Sequence, residues 1–230
     1  MVHFTLFGIP VYIRPSFWVV LAIFGGALSI SSVEDLIYPA LFVIAGFIAI
    51  LSHEMGHALV GRRLGGGQQT IVLELFGGLT SSHGMQLTRG GRALMILAGP
   101  MMTLLLGIIS LWLTWNIVAP VMTSHNLDFW DLAISPFTAA LISPKLYILS
   151  CLIMIGEWWT LLNLLPIYPL DGGQLIAQYI RSPRKVFMTG FITAILIGLL
   201  SFQLFHGYFI PIFMAVSYTH LRAHETPEHL

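Results

Sequence analysis

Apolar runs of roughly twenty residues recur along the chain, separated by short polar stretches. Runs of that length cross a lipid bilayer as helices, because a helix satisfies its own backbone where no water can. Six are expected, over 15–31, 39–61, 93–118, 145–165, 186–205 and 208–217, the last too short to cross as it stands. Hydrophobic residues make up 57% of the 230 and charged residues only 9%, which excludes a disordered chain. Ten basic and ten acidic residues leave no cationic excess, so no nucleic-acid partner is expected. The one cysteine, Cys151, excludes an intrachain disulfide framework and a cysteine-cluster metal site.

The basic residues set an expected orientation. Arg14, Arg62, Arg63, Arg89, Arg92, Arg181, Arg184 and Lys185 all fall on one side if the N-terminus is cytoplasmic. Lys145 falls on the other, in a segment with Asp128 and Asp131. This is the positive-inside pattern. Span one has no basic start and no small-residue cleavage site, so it reads as a span and not as a signal peptide.

The second run contains His53-Glu54-Met55-Gly56-His57. Residues four apart share a helix face, so both imidazoles can serve one metal ion. Glu54 lies beside the open position, where a carboxylate can take a proton from water. With nine His and six Glu in 230 positions, about 0.01 chance matches to this pattern are expected. Two imidazoles and a carboxylate in a spanning helix are also costly, and mark function.

A catalytic zinc site usually has three protein ligands. The acids at membrane depth are Glu54, Glu157 and Asp171. Asp171 sits in Asn163-Leu-Leu-Pro166-Ile-Tyr-Pro169-Leu170-Asp171-Gly172-Gly173, where prolines and glycines must break a helix. The expected topology brings this break and the histidines to similar depth on the cytoplasmic side. Glu157 would lie about 21 Å from Asp171 along a continuous helix, too far to share an ion. It reads as a hydrogen-bonded carboxyl in the bundle or as part of a water or substrate path. Asn163 reads either as a donor to substrate backbone or oxyanion, or as a helix-cap or interhelical hydrogen bond.

Residues 64–92 are more than a loop. Gly65, Gly66 and Gly67 interrupt span two, Thr70–Leu75 is β-prone, and Gly77-Gly78 makes a turn. A short hairpin at about 68–82 is expected, dipping into the bilayer or serving as a plain connector. Ile71, Val72 and Leu73 would offer a strand edge to an extended substrate. His83 reads as a surface histidine; His125 and His206 lie outside the chemistry. Trp112, Trp115 and Trp130 fit an interfacial belt, and Met101 and Met102 fit packing.

HEMGH in one span and NLLPIYPLDGG two spans later together resemble the site-2 protease family of intramembrane zinc metalloproteases. The likeness covers about residues 8–205 and implies one Zn²⁺ on His53, His57 and Asp171, with Glu54 as catalytic base. Ala98-Gly99-Pro100 also resembles a family motif, but Thr103 stands where the family usually has Asn. The hairpin and the Phe7–Val11 run are family-like, and no PDZ-like insertion separates the motifs. The expectation is therefore an all-α polytopic membrane protein with about six transmembrane helices and a small re-entrant β-hairpin after the second span. Residues 1–216 would form the protease domain. The tail at 217–230 resembles a translated adapter sequence and is expected to be non-native, so His220, His224 and His229 are set aside. The implied partners are a transmembrane protein substrate and the lipid bilayer of a bacterial-type inner or plasma membrane, with the active-site end cytoplasmic. The alternatives are a transporter or channel with an intramembrane metal site, which has no need of Glu54, and a catalytically silent relative.

Overall fold

A computed structural model describes residues 1–75, 77–84, 86–125, 129–180 and 182–205. The expected sixth span and the tail lie outside these residues. The chain divides into two compact units, Met1–Leu161 and Leu162–Leu230.

The first unit opens with a hairpin, β1 (Val2–Leu6) and β2 (Ile9–Ile13). Its two-residue turn, Phe7-Gly8, has positive φ at both positions (49° and 75°). That left-handed geometry suits the twist of the flanking strands. A bulky residue such as Phe7 rarely adopts it; here the Arg62 Nη1 donates to the Phe7 carbonyl at 2.8 Å. β2 then pairs in parallel with β3 (Gln68–Glu74), which pairs antiparallel with β4 (Gly77–His83). The sheet order is β1-β2-β3-β4. Pro10 precedes the stretch Val11–Ile13 that pairs with β3, so its missing N–H costs that ladder nothing.

Two expectations change here. The β structure is a four-stranded sheet, not a lone hairpin, because the N-terminal residues join it. Ile71, Val72 and Leu73 do not present an open edge. They pair with Val11, Tyr12 and Ile13 on one side and with Thr80, Leu79 and Gly78 on the other. The outer strand beside them is β4.

Alternation explains how the sheet packs. Ile9, Val11, Ile13, Ile71 and Leu73 point to one face and are buried against Ile50, Leu51, Met55 and Ala58 of helix α2 (Ile37–Gly65). Helix α1 (Pro15–Phe24) adds Phe17 and Leu21 to the same cluster. The expected first span is corrected: α1 rises only about 15 Å, half the hydrocarbon thickness. It ends at the Gly25-Gly26 pair, where Gly26 has φ 87°, and a 3₁₀ turn over Ala27–Ser29 follows.

Helix α3 (Arg89–His125) runs beside α2, and α4 (Phe129–Ile134) and α5 (Pro136–Ala140) lead to α6 (Pro144–Asn163). Ala45 of α2 packs with Tyr147, Cys151 and Leu152 of α6. Among the described residues, three helical stretches are long and apolar enough to cross a membrane: Glu34–Gly65, Arg89–Ala119 and Pro144–Asn163. These match the expected second, third and fourth spans. Glu157 is exposed on α6, which removes the expected hydrogen-bonded carboxyl inside the bundle. Trp112, Trp115 and Trp130 are exposed, as a belt requires.

In the second unit α6 ends at Asn163, and an irregular turn leads to α7 (Asp171–Ala177) and α8 (Pro183–Phe205). α8 coincides with the expected fifth span.

Leu73 has no accessible surface, so Leu73→Ala should cost about 2–5 kcal/mol. Thermal unfolding in detergent micelles checks this, with a lowered midpoint expected.

Candidate metal centre

His53 and His57 lie one turn apart on α2, and both are buried. Their Nε2 atoms converge to 3.1 Å. The His57 Nδ1 donates to the Met95 carbonyl of α3 at 2.8 Å. An imidazole that uses its Nδ1 proton this way offers Nε2 as a lone pair. Two nitrogens about 2.0 Å from one tetrahedral zinc stand about 3.3 Å apart. The pair therefore fits zinc in spacing, and His57 fits it in tautomer.

Close contact between α2 and α3 holds the His57 ring. A methyl on Gly56 would run into the Ala98 carbonyl, and one on Gly99 would enter the His57 ring. Small residues permit such approach between helices in a membrane. The Ala98-Gly99-Pro100 motif thus forms the wall behind His57. Thr103, fully buried, meets the Thr160 hydroxyl of α6 at 2.8 Å and also donates to the Pro100 carbonyl at 3.0 Å. Thr103, where the resemblance implied Asn, thus makes a hydrogen bond with α6.

Glu54 is buried beside the histidines, and the sheet reaches it. The Thr80 hydroxyl of β4 donates to the Glu54 Oε2 at 2.7 Å. Gly78, on the same face of β4, lies so close to the carboxylate that a methyl there would overlap Glu54. Gly77 abuts the Trp159 ring of α6. The hairpin is therefore not a plain connector. Thr80, Gly78 and Met95 were not legible as site residues; the Gly77-Gly78 pair, expected as a turn, lies within β4 and pairs with Glu74 and Leu73. His83 is exposed at the far end of β4, as expected.

In the second unit Asp171 is the first residue of α7 and is buried. Leu170 before it is extended, with φ −60° and ψ 160°. A methyl on Gly172 would meet the Leu164 and Leu165 carbonyls, and one on Gly173 would meet the Ile167 backbone. Those glycines let the turn fold back tightly on itself. The Gln174 Nε2 donates to the Pro169 carbonyl at 2.9 Å, and the Tyr168–Pro169 bond is cis. Asn163 is buried at the end of α6.

Residues 41–206 match the sequence pattern of Peptidase family M50. The chain belongs to that family. Zinc metalloprotease MJ0392 of Methanocaldococcus jannaschii is 27% identical over 174 residues, covering 75% of this chain and 43% of that protein. The sll0528 protein of Synechocystis sp. is 29% identical over 188 residues, covering 76% of this chain and 43% of its own length. The chain thus spans less than half the length of these relatives. The fold is that of the site-2 protease from Methanocaldococcus jannaschii, with a TM-score of 0.60 at 22% identity over 100% of this chain and 97% of that one. Family and apolar helices together make this M50 member an integral membrane protein.

Gly99→Ala should push the His57 ring off its axis and weaken zinc binding by about 10- to 100-fold. Competition with a chelator on the purified protein checks this; unchanged affinity would contradict the role given to Gly99.

Proposed function

We propose that this chain is an intramembrane zinc endopeptidase that hydrolyses peptide bonds of transmembrane substrates. The observation that carries the reading is the converging His53–His57 pair, with the Glu54 carboxylate buried beside it, in an M50 chain. The similar M. jannaschii sequence is named a zinc metalloprotease, and the similar M. jannaschii structure a site-2 protease. Asp171 is the third ligand: it is a short, buried carboxylate at the start of α7, directly after a broken segment. His53, His57 and Asp171 would then hold one Zn²⁺, leaving a fourth position open.

When bound, zinc lowers the pKa of water and polarises a carbonyl. Glu54 accepts the proton of the attacking water and returns it to the leaving amine. Met95 fixes the His57 tautomer through its carbonyl. Asn163 donates to the substrate backbone or the developing oxyanion. A transmembrane helix hides its amides in its own hydrogen bonds, so the substrate must unwind first. The outer edge of β4 is the strand to receive it, in place of Ile71–Leu73. The membrane arrangement is taken as about six helical segments, of which α1 is too short to cross unaided, with the hairpin re-entrant and with the N-terminus and site cytoplasmic, in a bacterial-type inner or plasma membrane. A transporter reading is not favoured, because it gives Glu54 no task.

Glu54→Gln should abolish cleavage of a reconstituted membrane-helix substrate while zinc stays bound; undiminished turnover would reject the base. Asp171→Ala should lose zinc, and a full metal complement by elemental analysis would reject the third ligand.

A further inference from the structure

We propose that Thr80 is a positioning residue for Glu54, with Gly78 supplying the clearance that makes the contact possible. The inference rests on the protease reading above and goes beyond its ligands and base.

Strand alternation puts residues 78 and 80 on one face of β4. That face meets Glu54. The Thr80 Oγ1 lies 2.7 Å from Oε2 and 3.2 Å from the Glu54 carbonyl. A hydroxyl has one proton, and the shorter contact, to the carboxylate, is the stronger use of it. At residue 78 the absence of a side chain leaves room for the end of the Glu54 side chain, since a methyl there would overlap its Cγ, its carboxyl carbon and Oε1. One oxygen is thus held by Thr80, and the carboxylate as a whole packs against the bare backbone of Gly78.

This matters because a glutamate has three side-chain torsions, and a general base must be held close to its working geometry. Contacts from α3, the Met95 carbonyl and Gly99, fix the His57 ring, but the donor to the Glu54 carboxylate lies elsewhere. The donor comes instead from the outer strand of the sheet. The strand available to an extended substrate and the aim of the base are therefore parts of one element.

The test compares Thr80→Val and Thr80→Ser in the full-length protein in proteoliposomes. Thr80→Val should keep its zinc and its KM within about twofold while kcat falls about 10- to 100-fold. Thr80→Ser should restore kcat. Substrate Kd in the inactive Glu54→Gln background should not change on adding Thr80→Val, because the hydroxyl aims the base and does not hold the substrate. A second readout does not need turnover. The infrared difference between wild type and Glu54→Gln isolates the Glu54 carboxylate stretch, which should move in Thr80→Val and return in Thr80→Ser. Should Thr80→Val fail to accumulate, Thr80→Ala carries the same comparison. An unmoved band, an unchanged kcat, or a loss that serine does not recover would overturn the proposal. A wild-type protein that binds zinc and cleaves nothing would overturn the protease reading instead, while the band shift still decides the contact.

Discussion

Two imidazoles can share an ion inside a membrane helix only if something outside that helix fixes their rings. Helical spacing brings His53 and His57 to one face, but ring rotation would scatter their nitrogens. The close approach of α2 and α3 removes that freedom for His57. Gly56 admits the Ala98 carbonyl, Gly99 admits the His57 ring, and the Met95 carbonyl takes the Nδ1 proton. The result is a pair of Nε2 atoms at 3.1 Å. Thr103 and Thr160 extend the same interface toward α6. In a solvent without water, each of these small residues and hydroxyls replaces a packing or hydrogen-bonding choice that a soluble protein would leave to side-chain size.

The sheet is the second element built around α2. One face of it is apolar and closes over Ile50, Leu51, Met55 and Ala58. Its last strand ends up at Glu54. The N-terminal hairpin completes this arrangement by covering the inner edge of β3, which leaves β4 as the outer strand. An apolar core and the setting of the Glu54 carboxylate are thus achieved by the same docking event.

The metal motif was legible because its spacing is dictated by helix geometry, and a two-histidine, one-glutamate pattern in an apolar run has few other uses. The break between Asn163 and Asp171 was legible from Pro166, Pro169, Gly172 and Gly173, which no continuous helix accommodates. The sheet was only half legible. Thr70–Leu75 carries β-branched residues, but Val2–Ile13 is short and apolar, its turn uses Phe7 where asparagine is usual, and Pro10 argues against a strand. Nothing local announces that β2 pairs in parallel with a strand far along the chain. Thr80 was not legible for a similar reason: its partner, Glu54, is 26 residues away, and the contact exists only once the hairpin has folded over α2. Glu157 misled because a carboxyl within a spanning run suggests burial, and the run's periodicity is too weak to say which face it occupies.

Zinc K-edge absorption on the purified, zinc-loaded protein tests the central claim most directly. The account predicts a first shell of nitrogen and oxygen only, at about 2.0–2.1 Å, with the outer-shell pattern of two imidazoles. A shell fitted without paired imidazoles, or one containing sulfur, would contradict it.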